Sequence, residues 1–248
     1  MIETNNLHDL KLTFNSFKGL LNKISIIFSL VLIVWFFVTY FFADLFFEKK
    51  EKFILSGKVY EIYYNGKIDE KKLGNLISKC NLHILKIPDS RIENSKLKVR
   101  LFFCNNQNLY TFFAFMNRKG YATTSPLRND IFISDINLEQ GYSYTFPRYG
   151  KLRNDILIAH ELTHILLNNI NIKPKKKWIE EGYCEYIGYG SEINTKELLK
   201  KSNESKYMRY VLGVDYLLKK KGNDIKNLEN INLTNEEVLA MIKKEIRN

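Results

Sequence analysis

The sequence predicts an α+β domain that follows a single membrane-spanning helix. Residues 24–43 form an apolar run without one charged side chain. Between residues 59 and 134, short runs rich in β-branched and aromatic residues alternate with runs at helical spacing. From residue 154 onwards the pattern is helical almost throughout. These three observations place a small mixed sheet in the first part of the domain and helices in the second part.

Composition limits the partners that we expect for this chain. The 248 residues carry a formal net charge of +11, and the basic side chains are spread along the whole sequence. Because they do not gather into a patch with interleaved aromatic residues, we expect no nucleic acid partner. An anionic membrane surface fits the charge better, and the apolar run supports that interpretation.

The apolar run at residues 24–43 is the expected membrane anchor. As a helix it is about 30 Å long, which matches the hydrocarbon core of a bilayer. A cleavable signal peptide is the rival interpretation, but the run exceeds a signal h-region and no small-x-small cleavage site follows it. We therefore predict a head over residues 1–23 and a single-pass helix over 24–47 that contacts membrane lipid.

The orientation of the anchor is a separate prediction. Lysines flank the span on both sides, so the positive-inside rule discriminates weakly. A short head followed by one large domain favours a location of that domain outside the cytoplasm. In such a compartment Cys80 and Cys104 are candidates for a disulfide, whereas Cys184 is predicted to be a small packing residue.

The α+β part of the domain is predicted element by element. Residues 48–66 form a stalk or a first strand, with a turn at Asn65-Gly66. The following elements are a helix over 69–85 closed by Pro88, a strand over 96–103, a helix over 108–118, and strands over 121–124 and 131–134. In the second part we expect helices over 195–220 and from Thr234 to the end, where Glu237 completes a capping box.

The motif that indicates function is H-E-x-x-H, formed by His160, Glu161 and His164. Asn154 and Asp155 favour a helix start before it, and apolar residues surround it. On a helix, positions i and i+4 lie on one face, so the two imidazoles can bind one zinc ion. Glu161 is then placed to take a proton from a zinc-bound water. A helix that carries two histidines by chance is the alternative.

A second segment, W-I-E-E-G-Y-C-E-Y at residues 178–186, follows a short polar connection that contains Pro174. It resembles the W-L-x-E-G-x-A-x-Y signature of gluzincin metallopeptidases, including the small domains called peptidase MA-like. The resemblance implies that Glu181 is the third zinc ligand and that Glu185 orients a ligand histidine. Glu180 takes the variable position of the signature, and we expect it to face solvent.

The same resemblance implies a zincin-like fold over residues 67–248, divided into an α+β part (67–170) and a helical part (171–248). In that family the sheet edge along the cleft binds the substrate backbone as an added strand. The strand at 131–134 is our candidate for that edge, and an ordinary core strand is the alternative. Tyr210, in a Y-x-x-G pattern, is the candidate oxyanion donor, with a packing role as the alternative.

The sequence thus predicts a membrane-anchored metallopeptidase that binds one Zn²⁺ per chain and cleaves peptide or protein substrates. No G-x-M-E-N-like strand precedes the zinc helix, which argues against an aminopeptidase and favours an endopeptidase. Two alternatives stay open: a zinc hydrolase of a non-peptide substrate, and a non-catalytic, zinc-stabilised binding domain on the membrane.

Overall fold

The structure is a computed structural model that describes residues 4–87, 97–114, 117–125, 128–145, 150–189, 198–199 and 205–247. The chain divides into two compact units, Met1–Phe46 and Phe47–Asn248. Residues 48–66 belong to the second unit, together with everything that follows them. The predicted positions Pro88 and Lys96 lie outside the described residues.

The first unit is one long helix, α1 (Thr4–Phe41), followed by a 3-10 turn at Ala43–Phe46. Within it, Lys18–Phe41 is long and apolar enough to cross a membrane, as the sequence predicts. The bounds differ from the predicted 24–47, because the helix ends at Phe41 and extends back through the head. No proline interrupts this part of the chain, so nothing in the sequence separates the head from the span.

The second unit contains a five-stranded sheet in the order β1-β2-β3-β5-β4. Its strands are β1 (Lys49–Leu55), β2 (Lys58–Tyr64), β3 (Lys98–Phe103), β4 (Ala122–Ser125) and β5 (Asp130–Ile133). The inner strands β2, β3 and β5 run parallel, and the outer strands β1 and β4 pair antiparallel to their neighbours. Residues 48–66 are therefore a hairpin of the sheet and not a stalk.

The edge strand that borders the cleft is β4, which corrects the prediction that residues 131–134 form this edge. The strand β5 lies between β3 and β4. Ile131 and Ile133 are completely buried on one face, and Phe132 is 4% exposed on the other. A strand buried on both faces belongs inside a sheet, whereas Thr123, Thr124 and Ser125 are only half-buried.

Six helices and a second, small sheet complete this unit within the described residues. The helices are α2 (Glu70–Ile84), α3 (Gln107–Phe113), α4 (Asn154–Asn169), α5 (Lys177–Tyr189), α6 (Lys206–Lys221) and α7 (Asn235–Arg247), with a 3-10 turn at Ile225–Leu228. The small sheet is an antiparallel meander of β6 (Asp135–Asn137), β7 (Tyr142–Tyr144) and β8 (Lys151–Arg153). The helix α3 is shorter than predicted, since it ends at Phe113.

One hydrophobic core joins the sheet to the helices, with α2 and α4 packed together and α5 packed on both α4 and α6. Cys80, Cys104 and Cys184 are free and completely buried in the structure, so the candidate pair Cys80 and Cys104 is not joined in a disulfide. Burial raises the pKa of all three thiols, which keeps them protonated and unreactive.

Candidate metal centre

The helix α4 is the element that holds the two histidines. Its first turn is anchored by Arg153, whose guanidinium donates two hydrogen bonds to the Asp155 carboxylate at 3.1 and 2.6 Å. The apolar residues before and after the motif are buried against the core. This packing determines the rotation of the helix about its axis, so that His160 and His164 lie one above the other along the cleft.

The helix α5 brings a carboxylate to the same point. The Nε2 atoms of His160 and His164 are 3.1 Å apart, and Oε2 of Glu181 lies 3.7 Å and 3.9 Å from them. Donor atoms around a tetrahedral zinc ion with bonds of about 2.0–2.1 Å lie about 3.4 Å from one another. The three side chains therefore fit one ion of that size, and they form a group able to hold a metal.

The outer nitrogen of each imidazole faces a carboxylate of α5. Nδ1 of His160 lies 3.5 Å from Oε1 of Glu185, and both side chains are buried. Nδ1 of His164 lies 3.0 Å from Oε1 of Glu180. The second contact corrects the prediction that Glu180 faces solvent, because its half-exposed carboxylate is bonded to a candidate ligand. Partners of this kind determine which nitrogen of an imidazole faces the metal.

The protonation states of the two histidines differ. Burial lowers the pKa of His160 to about 3, so its imidazole is neutral near pH 7, as metal ligation requires. Although burial lowers the pKa of His164, Cys184 and Glu180 raise it to about 12, so metal ligation requires this imidazole to lose its proton.

Burial raises the pKa of Glu185 to about 7, and the nearby carboxylates of Glu181 and Glu161 add to the shift. Burial also raises the pKa of Glu161. A cation among these groups would offset the repulsion between their charges.

Glu161 is partly buried beside the histidines and is held by the edge strand. The hydroxyl of Thr124, on β4, donates a hydrogen bond to Oε2 of Glu161. Sequence reasoning gave Thr124 no role, because the residue contacts Glu161 only once β4 and α4 are packed together. The carboxylate therefore lies between the candidate ligands and the open edge of the sheet.

A cleft of about 1010 Å³ opens along these groups. Its walls are the edge strand, the faces of α4 and α5, and the start of α6. Half-buried or buried side chains such as Leu152, Tyr189 and Met208 line it beside the candidate ligands. A cleft of this volume accommodates several residues of a peptide.

Tyr210 packs on Trp178, with the ring centroids 6.2 Å apart. Among the described residues, the tyrosines that line the cleft are Tyr121, Tyr189 and Tyr207, not Tyr210. Burial raises the pKa of Tyr207, and the nearby carboxylates of Glu181 and Glu185 contribute. The oxyanion role of Tyr210 stays a prediction, and Tyr207 is the phenol that lies nearer the candidate ligands.

The tryptophan and the glycine of the W-x-x-E-G segment pack α5 against α6. A Cβ atom at Gly182 would lie 2.7 Å from the carbonyl oxygen of Tyr210, so only glycine permits this approach. A Cβ atom at Gly213 would lie 2.9 Å from the Trp178 ring. Nε1 of Trp178 donates to the carbonyl of Leu233 at 3.0 Å. These contacts determine where α5 holds Glu181.

No family model matches this chain, and a search of curated proteins finds no match to it. The resemblance to gluzincins therefore depends on the motif residues of the sequence alone.

Proposed function

We propose that this protein is a membrane-anchored zinc metallopeptidase with a zincin-like fold of the gluzincin type. The observation that carries the proposal is the convergence of three donor atoms, 3.1–3.9 Å apart, beside a partly buried glutamate. His160, His164 and Glu181 would hold one Zn²⁺ per chain. Two imidazoles and one carboxylate leave a coordination position open, which is typical of catalytic zinc sites.

Zinc, when bound, polarises a carbonyl oxygen and lowers the pKa of a bound water. The protein side chains supply the proton transfers. Glu161 takes a proton from the attacking water and then gives it to the leaving amine. The raised pKa of Glu161 suits both roles, because a carboxylate of higher pKa is a stronger base. Glu180 is hydrogen-bonded to Nδ1 of His164, and Glu185 lies 3.5 Å from Nδ1 of His160, so both carboxylates are placed to orient the imidazoles.

Peptides are the substrates that the cleft favours. The edge strand β4 borders the cleft, and an extended peptide can pair with such an edge through its backbone. The absence from the sequence of a G-x-M-E-N-like strand supports endopeptidase activity. This assignment moves the proposed substrate edge from residues 131–134 to Ala122–Ser125.

The apolar segment of α1, Lys18–Phe41, supports a single-pass anchor in lipid. We place the catalytic domain outside the cytoplasm on the sequence argument alone. A cysteine introduced at the exposed position Lys244 tests this in intact cells, because the native cysteines are buried. Labelling by a membrane-impermeant maleimide is expected, and labelling only after lysis would place the domain in the cytoplasm.

The decisive experiment compares zinc content and peptide cleavage for four versions of the full chain in detergent. We expect one zinc and turnover in the wild type, zinc without turnover in Glu161→Gln, and little zinc in Glu181→Ala. Glu236→Ala, an exposed glutamate of α7, is the matched control and should behave as wild type.

Two results would count against the proposal. A wild-type chain without zinc would leave H-E-x-x-H as a coincidence on a helix. Zinc bound through Glu181 without cleavage of any peptide in a mixed library would favour the non-catalytic binding domain or the hydrolase of a non-peptide substrate.

A further inference from the structure

We propose that Thr124 is a positioning residue that holds the carboxylate of Glu161 and links it to the strand that binds substrate. This inference depends on the proposed peptidase function and assigns one more residue to it. It arises from the packing of β4 on α4, which no sequence motif indicates.

The hydrogen bond between the two side chains is the first observation. The Thr124 hydroxyl donates to Oε2 of Glu161, and both residues are partly buried at the cleft. In the described part of the chain, no other side chain hydrogen-bonds this carboxylate. Without the hydroxyl, no side chain of the described residues would restrain the rotamer of this glutamate through a hydrogen bond.

The direction of the backbone groups in β4 is the second observation. The N–H of Ser134 donates to the carbonyl of Tyr121 at 2.8 Å, so the backbone of Tyr121 points towards β5. In an antiparallel pair the direction alternates along the strand. The backbone groups of Ala122 and Thr124 therefore point away from β5, towards the open edge.

Ala122 and Thr124 have different neighbours at that edge. The side-chain amide of Asn117 donates to the carbonyl of Ala122 at 2.8 Å, which occupies that acceptor. Thr124 has no second strand beside it in the described part of the sheet. Its backbone is thus placed to pair with an added substrate strand, while its side chain holds the base. The backbone of Thr124 would thus contact the substrate, while its side chain contacts Glu161, the proposed base.

This arrangement predicts a specific kinetic signature. Pairing of substrate with the backbone of Thr124 does not need the hydroxyl, so the affinity for peptide should survive its removal. The proton transfer does need an oriented carboxylate, so turnover should fall. A hydrogen bond to a charged group is worth about 1.5–3 kcal/mol, which corresponds to a loss of roughly tenfold to a hundredfold in kcat.

The test uses Thr124→Val, which keeps the shape and removes the hydroxyl, and Thr124→Ser, which keeps the hydroxyl. Thr111→Val is the matched control, because Thr111 is a half-buried threonine of α3 that does not line the cleft. In the full chain we expect a kcat loss of about tenfold to a hundredfold in Thr124→Val, recovery in Thr124→Ser, and wild-type turnover in Thr111→Val. KM and zinc content should stay unchanged.

A second readout does not depend on turnover. Binding of an uncleaved peptide is measured by fluorescence anisotropy in the Glu161→Gln background, with and without Thr124→Val, and the affinities should agree. Wild-type kcat in Thr124→Val, or loss of zinc or peptide affinity together with kcat, would overturn the positioning role. A wild-type chain that binds no zinc and cleaves no peptide would refute the proposed function instead, and this inference with it.

Discussion

Replacing Gly182 by alanine tests whether close packing of α5 on α6 places Glu181. The new Cβ atom would lie 2.7 Å from the carbonyl oxygen and 2.8 Å from the carbonyl carbon of Tyr210. It would also lie 2.9 Å from a methyl group of Val214. Ordinary contacts between such atoms begin at about 3.5 Å, so the two helices must separate by several tenths of an ångström.

Two effects of opposite sign determine the magnitude. Alanine is favoured over glycine inside a helix by about 1 kcal/mol. Overpacking costs about 1–3 kcal/mol, and the upper end applies at Gly182 because the obstacle is backbone that cannot rotate away. The net expectation is a loss of about 1–2 kcal/mol in the free energy of unfolding. For a domain of this size the midpoint Tm should fall by roughly 2–8 °C.

The assay is thermal unfolding of the full chain in detergent, followed by circular dichroism, together with zinc affinity from chelator competition. Gly74→Ala in α2 is the matched control, since its Cβ atom would meet only the flexible ring of Phe53, at 3.3 Å. We expect Gly74→Ala to be neutral or stabilising, and Gly182→Ala to lower both Tm and zinc affinity. Equal stability and equal zinc affinity in the two variants would refute the reasoning.

Three further predictions concern the surroundings of the site. Glu180→Gln should weaken zinc binding about tenfold or more in chelator competition, because His164 loses a charged partner; unchanged affinity would remove that role. Although burial raises the pKa of Asp155, His83 and Arg153 more than offset this and lower the pKa well below its usual range. The ionised carboxylate therefore stabilises the fold at pH values above the pKa of Asp155 in the unfolded chain. Asp155→Asn should lower the free energy of unfolding by about 2 kcal/mol at pH 7, as measured by urea unfolding. The difference from the wild type should shrink below about pH 4. Removal of metal by a chelator should lower Tm and addition of Zn²⁺ should restore it; a Tm indifferent to both would argue against a bound metal.

Local patterns predicted the elements whose signals lie within a few residues. The helix α4 runs from Asn154 to Asn169, as its apolar run indicates, although its N-cap is Arg153, without a side-chain hydrogen bond, and not Asn154 or Asp155. The helix α2 begins after Asp69, whose carboxylate accepts from two backbone N–H groups of the first turn. The apolar run of α1 is visible from composition alone. In each case the stabilising contacts are close in sequence, so the pattern contains the necessary information.

Strand order depends on partners that are distant in sequence, and here the prediction failed. The strands β4 and β5 are both short, and either satisfies the pattern of an edge or a core strand. What decides is that Phe132 stacks on Phe102 and Phe113, with ring centroids 4.8 and 4.5 Å apart. These aromatic contacts cover the second face of β5 and leave β4 outside. The periodicity of a strand's own sequence does not indicate which of its faces a neighbouring element will cover.

The contact of Glu180 with His164 was missed for a geometric reason. Adjacent residues on a helix point about 100° apart, so sequence spacing assigns only one of Glu180 and Glu181 to the cleft. The structure uses both, because the imidazole of His164 has two nitrogens on opposite edges. Nε2 turns towards Glu181 and Nδ1 towards Glu180. One histidine can thus contact two consecutive residues of a facing helix. Helical spacing, which assigns only one of two adjacent residues to the cleft, does not predict such a pair of contacts.

The two motifs are independent pieces of evidence for one site. The W-x-x-E-G residues pack α5 on α6, so a helix pair of this shape could retain Trp178 and Gly182 for packing alone. Packing between these two helices gives no reason, however, for His160 and His164 on α4 to direct Nε2 at each other and at Glu181. Three polar donors that converge in a cleft are costly unless a ligand compensates them. That cost is the physical reason for proposing a metal at this position.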